Sequence, residues 1–467
     1  MTSAVIPGQF VSCDAIDEPL GAAAGGAAVL CVAVVCVAGA GVAVAAEAVV
    51  CVGVLPDGVE ASCDRWQNVR NRAIEATKSR CRFTIHPPVF VSVEYTLSPM
   101  RPASRMEGIE LSLIRQINAL ATPLSVNLGI GEPNIEPDET LREMARRATG
   151  VSWRYSPNAG HLSLRKRIAE GTRHDPKSEV CVTAGTEEAL YAIFQAYVNP
   201  GDEVLVPNPG FISYSAIARL CGAKAVAYDL ERPGWTLDPK KLPFSKKTKL
   251  IVVNSPSNPL GAVIDDATLT DIAGRGVLVV SDEVYREIWY DAPPPSMLGR
   301  SPNVIVVNGM SKSHSMTGLR LGWILAREEI MKPVVTAHQY IATCASVFSQ
   351  ALAEMILGDA AWNASWLENL RAQFRRQREA ALHSIEHELG AKIPPPPGAF
   401  YAFVPVPTRE TVALAKTLAS DAAVLVIPGV AFGSLGEGFV RISYAAPLDQ
   451  IGSGIERMGR FLRGMGR

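Results

Sequence analysis

Net charge is nearly absent from this sequence. Its 45 Lys and Arg residues are balanced by 46 Asp and Glu residues, which leaves a formal net charge of −1 at pH 7. A chain without an excess of positive charge has no general attraction for polyanions. The arginine-rich segment 370–389 also contains glutamates, and its apolar spacing predicts a solvated helix face. We therefore expect no nucleic-acid partner.

Cysteine is scarce in most of the chain. Only Cys181, Cys221 and Cys344 follow residue 82, whereas the other six of the nine cysteines precede it. The three later cysteines lack the spacing of metal ligands, and an odd total argues against a disulfide framework. We predict no metal site, and we expect reduced, mostly buried thiols in a cytoplasmic protein.

The N-terminal part lacks the features of a secretory signal. Segment 21–46 has no charged residue and is long enough to span a bilayer, but no Lys or Arg precedes it. Its only leucine is Leu30, and it has no isoleucine or phenylalanine, so its tendency to insert into a membrane is marginal. We interpret residues 1–105 as a low-complexity extension that is disordered or not native, as an overextended gene start would produce. A membrane anchor and another accessory role stay open as less favoured alternatives.

A lysine and an arginine follow the apolar, β-branched segment 304–308, which predicts a buried strand. Lys312 would lie on the loop that leaves this strand, where a lysine can form a Schiff base with a carbonyl cofactor. Arg320 comes eight residues later between two glycines, and its fork of donors suits a phosphate. An aldehyde together with a phosphate indicates pyridoxal 5′-phosphate.

Two further polar positions follow apolar segments upstream. Segment 277–280 leads into Asp282 and Tyr285, and segment 250–253 leads into a turn-rich loop that presents Asn258. Open α/β sheets place their ligands beyond the carboxyl ends of the strands. We therefore expect these side chains to lie near Lys312.

Nine short motifs, in the same order along the chain, resemble those of the class I/II aminotransferases. These belong to the pyridoxal-phosphate-dependent fold type I, aspartate aminotransferase-like superfamily, and the resemblance covers residues 106–467. The motifs lie at residues 129–133, 155–160, 183–190, 208–211, 258–261, 281–285, 311–320, 398–401 and 440–443.

The resemblance implies an α/β fold with two parts. One is a large domain with a mostly parallel seven-stranded sheet flanked by helices, and the other is a smaller α/β domain. Between 139 and 330, short apolar segments alternate with helical patterns, which independently predicts a largely parallel sheet covered by helices. The predicted strands are 180–183, 203–206, 224–228, 250–253, 277–280 and 304–307. The expected divisions after the extension are an N-terminal arm and start of the small domain (106–138), a large cofactor-binding domain (139–330), and linking helices with the small C-terminal domain (331–467).

The resemblance also implies how pyridoxal 5′-phosphate is held. Lys312 would carry the cofactor and move a proton at the substrate α-carbon. Asp282 would pair with the pyridine nitrogen and keep it protonated by opposite charge. Tyr285 and Asn258 would donate hydrogen bonds to the phenolic oxygen, and Phe211 would stack on the ring.

The phosphate would lie at the N-terminus of a helix, where backbone N–H groups and the helix dipole favour an anion. The residues that the resemblance assigns to the phosphate are Thr186, Glu187, Arg320 and, from a second subunit, Tyr155. Gly185 and Ser311 are assigned to the cofactor without a specific group. Only the backbone of Glu187 is assigned, because a carboxylate beside a phosphate is unfavourable.

The substrate α-carboxylate would pair with Arg441 through two parallel hydrogen bonds, and Gly131 and Asn258 would close the site. No second arginine can be tied to a distal carboxylate, so the identity of the amino acid stays open. Gly309 departs from the family, which often has a hydroxyl three residues before the lysine. Cis peptide bonds are expected at Asn208–Pro209 and at Asn258–Pro259.

The expected protein is a cytoplasmic homodimer with shared active sites. Its reaction would move an amino group from an amino acid to a 2-oxo acid by a ping-pong route. Two alternatives stay open. A pyridoxal-phosphate-dependent C–S lyase would use the same Lys312 and Asp282, and an aminotransferase-like transcription regulator would carry an N-terminal DNA-binding module.

Overall fold

The protein is described from a computed structural model that covers residues 30–35, 47–52 and 101–465. The first two segments lie in one unit and the third lies in another. In the first unit, strand β1 (Leu30–Val35) pairs antiparallel with strand β2 (Glu47–Val52). The rest of the predicted N-terminal extension, through residue 100, lies outside the described residues. No helix in the described segments combines the length and apolar character needed to cross a membrane.

The second unit is built around a seven-stranded sheet in the order β4-β10-β9-β8-β7-β5-β6. Its strands are β4 (Val180–Thr183), β5 (Glu203–Asn208), β6 (Lys224–Asp229), β7 (Thr248–Asn254), β8 (Leu278–Asp282), β9 (Val304–Gly309) and β10 (Gly322–Leu325). Neighbouring strands are parallel except at β10, which runs antiparallel to both β4 and β9. The predicted α/β fold with a mostly parallel seven-stranded sheet is confirmed.

Helices connect these strands and continue to the C-terminus. They are α1 (Leu113–Asn118), α2 (Glu139–Ala148), α3 (Leu162–Ala169), α4 (Thr186–Tyr197), α5 (Ile212–Leu220), α6 (Asp266–Ala273), α7 (Met310–Ser313), α8 (Glu328–Ile341), α9 (Val347–Gly358), α10 (Ala360–Leu389), α11 (Thr411–Asp421) and α12 (Leu448–Met465). Helix α1 starts at residue 113 because the side chain of Ser112 accepts a hydrogen bond from the Arg115 N–H and caps the helix.

Both faces of the main sheet are buried, which is why its strands are apolar throughout rather than alternating. In β7, Leu250 and Val252 pack into one apolar cluster together with helices α4, α5 and α8. Ile251 and Val253 point to the opposite face and pack into a second cluster with helices α3, α6 and α9. With both faces covered by helices, the carboxyl edge of the parallel strands is where polar side chains can gather.

A smaller antiparallel sheet follows the long helix α10. Its strands are β11 (Tyr401–Pro405), β13 (Ile427–Pro428) and β14 (Phe439–Ser443), in the order β11-β14-β13. A separate parallel pair joins β3 (Val126–Asn127) to β12 (Val424–Leu425). Arg441 lies on the central strand β14, opposite Phe403 on β11 and Ile427 on β13, so its backbone is fixed from both sides.

Six of the seven strands were predicted from their apolar, β-branched segments, but β10 was missed. Strand β10 has only four residues and begins with glycine. A segment this short cannot be distinguished from a loop by its hydrophobic pattern. The predicted cis bonds at Asn208–Pro209 and Asn258–Pro259 are confirmed. Two more, at Arg232–Pro233 and Ser255–Pro256, were not predicted. The division of residues 106–467 into an arm, a large domain and a small domain stays a prediction.

The start of β10 leaves no space for a side chain. A Cβ at Gly322 would lie 2.8 Å from both the carbonyl carbon of Gly185 and the backbone nitrogen of Thr186. We expect Gly322→Ala to lower the free energy of unfolding by about 1–3 kcal/mol, the usual effect of overpacking. Urea denaturation measures this change. Gly318→Ala is the control, since a Cβ there meets nothing within 4 Å. Equal unfolding midpoints for both variants would contradict the prediction.

Candidate active site

Polar residues collect at the carboxyl edge of the main sheet. Asn254 ends β7, Asp282 ends β8, and the two residues are direct neighbours in the parallel register. The next strand, β9, ends at Gly309 and passes into the short helix α7, which carries Lys312. Parallel strands end at the same edge, so the predicted Asp282 and Lys312 come together there with Asn254, which was not predicted, as expected for a ligand site.

Lys312 is half-buried, and its ammonium group has few partners. Its Nζ donates a hydrogen bond to the Gly131 carbonyl at 2.6 Å and lies 6.0 Å from the ring centre of Tyr285. Burial lowers the pKa of Lys312 to about 8, although the nearby Glu132 carboxylate acts in the opposite direction. At neutral to mildly basic pH a substantial fraction of this amine is therefore unprotonated and able to act as a nucleophile or base.

Gly309, which departs from the family pattern, stands at a position with no room for a side chain. A Cβ at this position would lie 2.7 Å from the Leu321 carbonyl oxygen and 2.9 Å from the Gly322 Cα. The close approach of β10 to β9 therefore excludes any hydroxyl-bearing side chain at 309. Ser311, by contrast, is 5% exposed at the start of α7, next to Lys312.

Asp282 is a buried carboxylate without a cationic partner in the described part of the chain. Its Oδ2 accepts a hydrogen bond from the Tyr214 hydroxyl at 2.7 Å, and its Oδ1 accepts one from the Val284 N–H at 3.2 Å. Burial raises the pKa of Asp282 to about 6, while the bond from Tyr214 acts to lower it. A cation placed beside this carboxylate would be stabilised strongly by the low-dielectric surroundings.

Tyr214 was missed by the sequence analysis. It lies in the first turn of α5, three residues after Phe211, and the two rings meet edge to face at 5.6 Å. Residues three apart on a helix share one face. The spacing of Tyr214 from Phe211 was therefore the only sequence feature that could have indicated Tyr214 as a site residue. Its hydroxyl partner is 68 positions away along the chain, and no local pattern reveals that contact.

Arg441 is the second buried charge of the site and is only 1% exposed. Its Nη1 donates to the Asn258 Oδ1 at 2.9 Å, and its Nη2 donates to the Gly129 carbonyl. Both acceptors are neutral, and its Nε has no partner in the described part of the chain. Burial lowers the pKa of Arg441. A buried guanidinium with unused donors is well suited to an anionic ligand, above all a carboxylate.

Two aromatic rings flank this guanidinium, and neither was predicted. The Arg441 Cζ lies 4.5 Å from the ring centre of Tyr401 and 4.9 Å from that of Phe432. The Tyr401 hydroxyl also lies 2.7 Å from the Tyr285 hydroxyl. A Cβ at Gly131 would collide with the Tyr401 hydroxyl, which explains why glycine stands there. Sequence indicated Tyr401 only as part of a motif.

The predicted phosphate site lies where β4 passes into helix α4. Gly185 precedes the helix with φ 86°, a left-handed conformation that favours glycine, and it supplies no side-chain cap. Among the described residues, no acceptor binds the first N–H groups of α4, those of Thr186 and Glu187, so they can bind an external acceptor. A Cβ at Gly185 would lie 2.6 Å from the Arg320 Nη2, so that guanidinium packs directly on the turn. Its Nη1 donates to the Thr317 carbonyl at 3.0 Å.

Three predicted residues lie less clearly within the site. Tyr155 is 85% exposed and lies on the surface, so its assigned role from a second subunit stays a prediction. Glu187 is exposed as well, so its carboxylate can point into solvent and away from the predicted phosphate site. Phe211 is half-buried and lines a cavity of about 210 Å³, whose wall also includes Asn208 and Phe432 but not Lys312.

Known proteins resemble the chain over most of its length. The sequence profile of the family described as aminotransferase class I and II matches residues 125–457. A probable N-acetyl-LL-diaminopimelate aminotransferase of Bacillus subtilis is 33% identical over 388 residues, covering 79% of this chain and 96% of that protein. An aspartate aminotransferase of Pyrococcus horikoshii is 35% identical over 382 residues, covering 78% and 97%. A solved double mutant of the Thermus thermophilus aspartate aminotransferase is 32% identical, with a TM-score of 0.72, and covers 77% of this chain and 100% of that one.

The raised pKa of Asp282 predicts a pH-dependent stability of the ligand-free protein. Its folded pKa of about 6 lies above the ordinary value of 3.8, so the folded state binds the proton more tightly than the unfolded chain. The corresponding stability is present at low pH and is lost as the pH rises through about 6. The difference amounts to about 3 kcal/mol.

We expect the ligand-free Asp282→Asn variant to be more stable than the wild type at pH 7 and to lose this advantage at pH 4. Urea unfolding at a series of pH values measures the free energy. Asp265→Asn is the control, because the Thr268 N–H lowers the pKa of Asp265 and gives the opposite pH dependence. The expectation would be contradicted if the difference in the free energy of unfolding between the wild type and Asp282→Asn did not change with pH.

Proposed function

Since the chain belongs to the class I and II aminotransferase family, we propose that it works with pyridoxal 5′-phosphate held at Lys312. The reaction of this enzyme moves an amino group from an amino acid to a 2-oxo acid. The observation that carries the proposal is that three charged groups come together: Lys312 and Asp282 at the carboxyl edge of the main sheet, and Arg441 from the smaller sheet. Each has a pKa displaced by burial, and none has a countercharge within hydrogen-bonding distance among the described residues.

The residues present fit this cofactor part by part. The uncapped turn at Gly185 and the Arg320 guanidinium form a cradle for a phosphate dianion. Asp282 is a buried carboxylate that lacks a cation, and a protonated ring nitrogen would supply one. Lys312 offers an amine whose pKa is low enough for attack on an aldehyde.

Asn258 has its orientation set by Arg441. Its Oδ1 accepts from the guanidinium, so its Nδ2 is left as a donor toward the site. The Tyr285 hydroxyl, paired with Tyr401, is the second group assigned to the phenolic oxygen. Asn258 and Tyr285 would together restrain the bound ring through its phenolic oxygen.

When bound, pyridoxal 5′-phosphate supplies the aldehyde that takes up the amino group and the ring that withdraws electrons from the α-carbon. In this mechanism, Arg441 binds the substrate α-carboxylate and thereby places the α-hydrogen near the Lys312 Nζ. Lys312 would take up the proton from the substrate α-carbon and later give it back, as an amine with a pKa of about 8 can do. Asp282 would hold the ring nitrogen of the bound cofactor protonated, and the Tyr214 hydroxyl holds the Asp282 carboxylate in place by a hydrogen bond.

The alternatives from sequence are less favoured. The relatives found are aminotransferases over nearly their whole length, which supports transfer rather than a C–S lyase or a transcription regulator.

A homodimer with shared active sites is part of the proposal. Large aromatic side chains are exposed at Trp153 (87%), Tyr155 (85%) and Tyr340 (83%). Exposed aromatic groups of this size support a surface that another subunit covers. A second copy would then deliver Tyr155 to the phosphate. A cytoplasmic location is also proposed, and the free thiols of Cys181, Cys221 and Cys344 support it.

Replacing the lysine tests the central assignment. We expect Lys312→Ala to lower turnover by ~10³-fold or more, since a positioned proton-transfer group contributes about 10²- to 10⁴-fold. The variant should also lack the visible absorbance that added pyridoxal 5′-phosphate gives with the wild type. Lys332→Ala is the control, since Lys332 lies on the surface and pairs with Glu328. Wild-type turnover in Lys312→Ala would overturn the proposal.

Replacing the arginine tests how the substrate is recognised. We expect Arg441→Gln to lower kcat/KM for amino acids by about 30- to 3,000-fold, the effect of losing one partner of a buried charge pair. Turnover of an amine that lacks the α-carboxylate should change far less, because Arg441 would have no group to bind. Steady-state kinetics with an amino acid and its decarboxylated amine give the two values. An equal loss for both would show that Arg441 acts on something other than the carboxylate.

A further inference from the structure

The phosphate-binding turn is held by a contact outside the residues assigned so far. Gly185 has no side chain that can cap α4, yet the backbone before it is anchored. The Ala184 N–H donates to the Glu188 Oε2 at 3.1 Å. Glu188 lies in the first turn of helix α4, so its side chain reaches back toward the N-terminus of the helix. Its carboxylate thereby holds the backbone that precedes Gly185.

The second oxygen of this carboxylate reaches a neighbouring helix. The Glu188 Oε1 lies 2.8 Å from the Nδ1 of His338, which is fully buried within α8. A carboxylate oxygen accepts, so the imidazole is the donor through Nδ1–H. The Nε2 of His338 has no partner in the described part of the chain, so the bond to Glu188 is the only hydrogen bond of this ring there.

Without this contact, the position of Glu188 would be unfavourable for an anion site. A free carboxylate one turn from the phosphate could rotate toward it and repel it. With one oxygen on the Ala184 N–H and the other on His338, the carboxylate is held away from the open N–H groups of Thr186 and Glu187. The imidazole of α8 therefore determines both the shape of the turn and the direction of a nearby negative charge.

We propose that His338 and Glu188 form a positioning pair that sets the phosphate-binding turn of α4. This inference rests on the proposed function, because it assumes that the turn binds the phosphate of the cofactor. The pair does not touch the region of Lys312 and Asp282. Its loss should weaken the hold on a phosphate while leaving the interactions with the ring and the aldehyde unchanged.

The test compares two ligands that differ only in the phosphate. Dissociation constants of pyridoxal 5′-phosphate and of pyridoxal are measured with the full-length protein by absorbance titration. We expect His338→Phe, which keeps a ring but lacks the donor, to weaken pyridoxal 5′-phosphate binding about tenfold, as for one hydrogen bond to a charged group. The dissociation constant of pyridoxal should stay within about twofold of the wild-type value, which is a smaller change than the loss of one hydrogen bond to a charged group would cause. His338→Asn should restore most of the affinity, because its amide N–H can replace Nδ1–H.

A matched control separates positioning from helix packing. The Tyr197 hydroxyl donates to the Ile330 carbonyl at 2.9 Å and joins the same two helices at the opposite end of α4. Tyr197→Phe removes this bond and should leave both dissociation constants unchanged. If His338→Phe does not fold, His338→Leu, with a smaller side chain, is measured in its place.

The outcomes distinguish this inference from the proposed function. A wild type that binds neither ligand would overturn the cofactor assignment itself. A wild type that binds both, with His338→Phe and His338→Asn equal to it, would overturn only the positioning pair. A parallel loss for both ligands, or an equal loss in Tyr197→Phe, would also overturn it, since either result indicates general packing.

Discussion

The common carboxyl edge of β7, β8 and β9 is the constraint on which the candidate site depends. Parallel pairing places Asn254 beside Asp282 and brings the turn that carries Lys312 next to them. Helices bury both faces of this sheet, so the edge is the place where charged groups can gather around a ligand. The smaller sheet then contributes Arg441 from its central strand.

Burial of uncompensated charge gives the site its chemical character. Desolvation lowers the pKa of Lys312 and raises that of Asp282, so burial favours the uncharged form of each side chain in the ligand-free protein. Such groups are destabilising for the folded chain alone, and a ligand that supplies the missing countercharges relieves the cost. Stability and ligand binding are therefore coupled at the same atoms.

Contacts behind the site connect it to the helical layers. Glu188 and His338 join α4 to α8 next to the turn at Gly185, which is the proposed phosphate site. On the other side, the Trp366 Nε1 of α10 donates to the Ser313 carbonyl at 2.8 Å and anchors the helix that carries Lys312. Both supports come from helices that are remote in sequence from the residues they hold.

Local sequence was sufficient to predict the strands with long apolar segments. The ordered motifs were sufficient to select Lys312, Asp282, Asn258 and Arg441 as candidate site residues. Strand periodicity and the polar residues at strand ends depend on near neighbours along the chain, so they can be read from it. β10, Tyr214 and His338 depended on the tertiary structure. Their roles arise from partners such as Asp282 and Glu188, which lie 68 and 150 positions away. Only packing of the layers decides which side chains meet, and the resulting desolvation decides their pKa values.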